Sequence, residues 1–202
     1  KLSVDAIMAI AFAIALGIVS VSRLFAPIFW GEDFAPCAYI LSALALSIPF
    51  SGFANVIRMQ YLIPNGMDGA YILSVILGAV SNLTANSLLI PRCGALGAAV
   101  GTVIAEGVVC AAQCLAVKKR IDILAYLKST AFFGMAGLLM YGAVRVLDQR
   151  AEITVSWLLL EIVVGGSVYC ILYVLYLYHT KNELLMTALQ KLGGAHQNND
   201  RG

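Results

Sequence analysis

The side chains with chemistry to offer are few, and the informative ones are polar groups set inside long apolar runs. Glu106 stands near the middle of residues 93–117. An ionisable group at that depth in hydrocarbon costs about 2.5–3.5 kcal/mol on insertion scales, so it needs a partner or a water-filled cavity. It reads as a proton- or cation-coupling group or a lumen-lining one, or else as a protonated carboxyl bonded to a neighbouring helix. Thr102, Glu106 and Gln113 share one helical face. Gly97, Gly101 and Ala105 make an adjacent stripe of small residues suited to close packing. Asn82 and Asn86, one turn apart in the preceding run, either bond across helices or line a cavity. Asn55, Arg58 and Gln60 cluster at the end of another run, where Arg58 is an interface anchor or an anion contact. Arg23 is similar, with snorkelling to the interface as the cheaper explanation. Glu161 is expected to pair with an arginine such as Arg145. Tyr169, Tyr173, Tyr176 and Tyr178 read as an aromatic interface belt.

Enzymatic signals are scarce. The two histidines, His179 and His196, lie near the C-terminal end, and no His/Cys cluster has metal-ligand spacing. The five cysteines (Cys37, Cys93, Cys110, Cys114, Cys170) fit neither a zinc pattern nor a disulfide framework. They read as small apolar residues. A Walker-type phosphate loop is missing. The series Gly94-Ala-Leu-Gly97-Ala-Ala-Val-Gly101 opens an apolar run, so helix packing explains it better than nucleotide binding. We therefore expect no catalytic residue, no metal and no cofactor, and a protein that is not an enzyme. A net charge of +2 gives no footprint for nucleic acid.

The elements that must position these groups are membrane helices. Hydrophobic residues make up 61% of the chain and charged residues 12%, about half the charge of an average soluble domain. A bilayer core needs about 20 apolar residues of helix. Six stretches meet or approach this: residues 6–30, 34–57, 70–90, 93–117, 124–147 and 153–178. The first is too long for a signal-peptide core and is expected to be retained. Gly31-Glu32-Asp33, Pro64-Asn65-Gly66-Met67-Asp68 and Pro91-Arg92 break the runs. Pro49 is expected to kink the second helix. The runs are continuous rather than alternating, which excludes a membrane barrel. The fold class is therefore all-α integral membrane, with residues 1–180 as a helical unit and residues 181–202 as a tail. In that tail the capping pair Thr180 and Glu183 precedes Leu185, Leu189 and Leu192, the pattern of a short amphipathic surface helix or of a frayed polar end. With both termini inside, nine of the Lys and Arg residues fall inside and four (Arg23, Arg92, Arg145, Arg150) outside, which favours cytoplasmic termini.

Several of these pieces together have a family look. They are Asn55-Val-Ile-Arg-Met-Gln-Tyr-Leu-Ile-Pro64-Asn-Gly, Gly78-Ala-Val-Ser-Asn82, Gly94-Ala-Leu-Gly-Ala-Ala and Thr102-Val-Ile-Ala-Glu106, with Phe29-Trp-Gly-Glu-Asp-Phe34 before them. From about residue 6 to 120 the chain resembles the C-terminal half of bacterial Wzx-type polysaccharide flippases, of the multidrug/oligosaccharidyl-lipid/polysaccharide exporter superfamily. Beyond Arg120 the likeness rests on hydropathy. Arg58 departs from the pattern, standing where a small residue is expected. The resemblance implies one lobe of a two-lobed transporter in the bacterial cell membrane. It implies translocation of undecaprenyl-diphosphate-linked oligosaccharide for capsule, O-antigen or exopolysaccharide assembly. It implies a missing N-terminal lobe and polysaccharide polymerase machinery as partners. Asn82, Asn86 and Glu106 are the expected cavity residues, Glu106 also the coupling group, and Arg23 and Arg58 the expected diphosphate contacts. The alternatives are a cation-coupled multidrug exporter of the same superfamily and a non-transporting scaffold lobe.

Overall fold

The computed structural model describes residues 2–149 and 151–180; the tail helix expected beyond Thr180 lies outside them. All regular structure among the described residues is helical. Helix α1 is Leu2–Trp30 and ends at Gly31, whose φ of 96° no ordinary helix accommodates. A short 3₁₀ turn, Glu32–Phe34, leads into α2, Cys37–Ala45, and α3, Ser47–Ile57. The break at Leu46 has a local cause. Pro49 lacks an N–H, and its ring collides with the carbonyl of the residue one turn back, here Ala45. The chain tightens there, with Leu46 N–H donating to Ala43 O at 3.1 Å. The expected kink is therefore real and falls about a turn before the proline. Below Ile57 the helix widens into a π segment, Arg58–Leu62, closed by Ile63 N–H to Arg58 O at 3.0 Å.

Helix α4, Asp68–Val117, is hydrogen-bonded as one run of 50 residues but is folded double. Gly94 has φ 56° and ψ −134°, a combination essentially closed to residues with a Cβ. The two arms, residues 68–93 and 95–117, run back against each other. Gln113 Nε2 donates to Ser74 Oγ at 3.1 Å. Gly78 faces Val109, Gly101 faces Asn86, and Gly97 faces the Leu89 carbonyl. A straight helix would put Ser74 and Gln113 about 58 Å apart at 1.5 Å per residue. The five long apolar helical runs thus make six crossings. The turn is at Gly94 rather than at the expected Pro91-Arg92, because Pro91 keeps helical geometry and only glycine can take the reversal.

Helix α5, Ile123–Asp148, is capped by Asp122, which accepts from Ala125 N–H at 3.2 Å. Helix α6 is Val155–Thr180. Central to the bundle is α1, packed against α2 and α3 on one side and α5 and α6 on the other, while α4 packs on α2 and α3. Val4, Met8, Phe53, Ile57, Leu62, Val117 and Phe133 form the main core at one end. Tyr169 donates from its hydroxyl to Ala9 O at 2.7 Å, tying α6 to α1. Tyr173 and Tyr176 pack on Phe132 and Phe133. Only Tyr178, 75% exposed, is placed as a belt residue would be. The other three tyrosines are helix-packing groups, a correction to the belt reading.

Much of the outer face is bare Leu, Ile and Val: Leu83 is 71% exposed, Val146 68% and Val163 63%. Water would not tolerate such a surface; hydrocarbon does. A helix satisfies most of its backbone hydrogen bonds within itself, as a lipid solvent demands. The molecule is a multi-pass membrane protein. Val4 and Tyr176 share one core cluster, so both ends of the described chain lie at the same end of the bundle.

Candidate functional site

A polar groove of about 460 Å³ lies between α3 and the two arms of α4. Polar side chains reach it from three directions: Asn55 and Arg58 from α3 and the π segment, Asn82 from the first arm, Thr102, Glu106 and Gln113 from the second. The shared face of Thr102, Glu106 and Gln113 is thus a groove wall. Of the small-residue stripe beside it, Gly97 and Gly101 are buried against the facing arm, while Ala105 lines the groove.

Each polar group has a distinct setting. Arg58 Nη2 donates to Asn55 Oδ1 at 2.6 Å, and its guanidinium lies 5.3 Å from the centroid of the Tyr71 ring. Both contacts fix the guanidinium without neutralising it, so its charge is available to an anion. The i→i−5 geometry at Arg58 re-aims the side chains of that turn, a device frequent at functional sites. Gln113 is buried and held by Ser74, which closes the groove at that level. Glu106 is half-buried and, among the described residues, has no hydrogen-bond or ion-pair partner. It sits about 16 Å along the helix from Val117, near mid-span. A lone carboxylate there calls for water, a cation or a substrate donor.

Two expected cavity residues lie elsewhere. Asn86 does not line the groove. It donates from Nδ2 to Asn82 Oδ1 at 2.9 Å and rests against Gly101 between the arms, so it orients Asn82 from behind. Arg23 is at the opposite end of the bundle from Arg58, where its Nη1 pairs with Asp148 Oδ2 at 2.8 Å. Arg145 Nη1 shares the same oxygen at 2.7 Å. The pairing expected between Arg145 and Glu161 is replaced by this one. Asp148, closing α5, is one turn from Arg145 and takes both cations, while Glu161 Oε1 is buried without a hydrogen-bond partner.

Sequence reasoning missed Asp148, just past the apolar run 124–147, and Asp5, which is 5% exposed with Oδ1 unpartnered. Their positions at the ends of apolar runs were the available signal. The described residues hold no cluster of His, Cys, Asp and Glu able to take a metal, and the five cysteines are free thiols.

The architecture is an α-helical membrane bundle with a polar groove on one flank and a folded helical hairpin. The solved structure of the lipid II flippase MurJ in its inward closed conformation has the same fold, with a TM-score of 0.72 and 18% identity. The match covers 89% of this chain and 38% of that one, so the chain spans well under half the length of that flippase. No protein-family model and no curated protein sequence matches the chain.

Proposed function

We propose that this chain is one lobe, residues 1–180, of a flippase that moves an undecaprenyl-diphosphate-linked oligosaccharide across the bacterial cell membrane by alternating access. The observation that carries the reading is the groove: Arg58, Asn82, Thr102, Glu106 and Gln113 converge on one face of an otherwise apolar bundle. Sugars and a diphosphate cannot cross hydrocarbon bare, since each charge at mid-bilayer costs several kcal/mol. A polar wall that meets a matching wall from a second lobe gives them a path, while the lipid tail stays in the bilayer. In this reading Arg58 holds the diphosphate, Asn82, fixed by Asn86, bonds sugar hydroxyls, and Glu106 couples transport to a cation or proton. Both termini face the cytoplasm, and polysaccharide polymerase machinery takes the product. The fold shared with a lipid II flippase supports a lipid-linked cargo; the oligosaccharide repeat unit rests on the Wzx-type resemblance.

One observation favours a second reading. Glu106 has no hydrogen-bond or ion-pair partner among the described residues, which also suits a cation-coupled exporter of drugs.

The test is complementation of a flippase-null strain with the full-length protein carrying Glu106→Gln, Asn82→Ala or Arg58→Gln. Surface polysaccharide should fall at least about tenfold for Arg58→Gln, the loss of a charge-assisted contact, with lipid-linked oligosaccharide accumulating inside. Normal polymer in all three variants would sink the site. Normal polymer together with abolished drug efflux in Glu106→Gln would favour the exporter.

A further inference from the structure

The end of the bundle away from Arg58 holds a second cavity, of about 530 Å³, between α1, the start of α2 and the end of α5. Its polar lining is dominated by Arg23 and Arg145, with Tyr39 and Tyr141 beside them. The two guanidiniums are pinned from below by a single oxygen, Asp148 Oδ2, whose side chain is 2% exposed. Each arginine commits one nitrogen to it and keeps the rest of a planar fork of N–H donors. Their side chains remain 60% and 50% exposed. Arg145 also lies 5.7 Å from the Tyr141 ring centroid, which steadies the plane of its fork. The other charged groups nearby do not fill the site. Glu161 is buried beneath them, within electrostatic reach of both arginines but outside ion-pair distance and outside the cavity lining, and Glu32 and Asp33 sit in the adjoining turn, also outside the lining.

The two cations share one oxygen of a buried carboxylate, and their remaining N–H donors face an open cavity. Paired arginine forks match phosphate oxygens, with both charge and directed donors. The depth fits as well. Phe29, Trp30 and Phe34 expose their rings at this same end, 61%, 47% and 53%, as aromatic groups do at the membrane–water interface. Lipid phosphates lie at that level.

We infer that the Arg23–Arg145 cavity binds a lipid-borne phosphate or diphosphate at the membrane interface. The site is separate from the Arg58 groove, at the opposite end of the lobe. Asp148 is its positioning residue: it orients both forks and does not itself meet the ligand. A phospholipid headgroup and a polyprenyl diphosphate share this chemistry, and only the second source rests on the flippase reading.

The full-length protein, purified in detergent with Arg58→Gln to silence the groove, is presented with undecaprenyl diphosphate, phosphatidylglycerol or phosphate-free undecaprenol. Binding is read by native mass spectrometry. The parent should hold at least one phosphate-bearing lipid about tenfold more tightly than undecaprenol, and Arg145→Gln or Arg23→Gln should remove most of that preference. Selective loss of undecaprenyl diphosphate assigns the site to the polyprenyl carrier; selective loss of phosphatidylglycerol assigns it to the bulk headgroup. No preference in the parent, or an undiminished preference in the double variant, overturns the inference. Arg145→Lys keeps a charge over Asp148 and should recover much of the binding. Equal losses in the Lys and Gln variants would mark the arginine as a structural clasp and overturn it too.

Discussion

Gly97 and Gly107 lie in the same arm of α4 and differ in what surrounds them. A Cβ placed on Gly97 would meet the Leu89 carbonyl oxygen at 2.5 Å, a backbone atom that cannot swing aside, whereas Gly107 opens on empty space. Gly97→Ala should therefore push the arms apart and lower stability by about 1–3 kcal/mol, the usual cost of overpacking. Gly107→Ala should be neutral or stabilising by about 0.5–1 kcal/mol, because alanine gives up less freedom in a helix. Thermal unfolding in detergent compares the two directly. The stripe of small residues was visible in the sequence, but which of its glycines touches backbone was not, since that depends on the register between the arms. The same limit governed the polar groups. Spacing put Thr102, Glu106 and Gln113 on one face, and they share the groove wall. Nothing in spacing could separate Asn82, in the groove, from Asn86, behind it, because the two differ only in which side of the arm meets Gly101.

Among the elements, the folded α4 decides the topology. Ser74 and Gln113 face each other across the hairpin, and cysteines placed at both in a cysteine-free background should crosslink rapidly within one molecule. A continuous helix would hold them far beyond reach, so the absence of crosslinking would overturn six crossings in favour of five. Hydropathy had already divided these residues into two spans at Pro91-Arg92, because proline and arginine are the residues that look like a break. The reversal belongs to Gly94, and Pro91 stays helical. The break between α2 and α3 was legible for a better reason: a proline's effect on the carbonyl behind it is local and does not depend on partners. The charged clasp was not legible. Arg23, Arg145 and Asp148 come from opposite ends of the sequence, 125 residues apart for the Arg23–Asp148 pair, and only packing of α1 on α5 unites them.

Taken whole, the bundle has a polar flank and an apolar flank. The groove is open along one side, walled only by α3 and α4. On the flippase proposal, one lobe by itself would give a charged or sugar-bearing cargo a single wall and leave lipid on the other side, so the barrier to crossing would stay high. Expression of this chain alone in a flippase-null strain should leave surface polysaccharide at the null level, and restored polymer would show that one lobe is enough. Fold class was the most legible property, since long apolar runs admit few structures in a bilayer. Least legible was what the groove receives, because spacing places polar groups on a face without showing which ligand they meet.

The Gly94 reversal has one more consequence. A turn made by a single residue leaves almost no polypeptide outside the membrane between the fifty residues of α4. Between the two arms there is no loop for a soluble factor to grasp, so anything that recognises the hairpin tip must do so from within the headgroup layer, where Arg92 stands exposed at the summit.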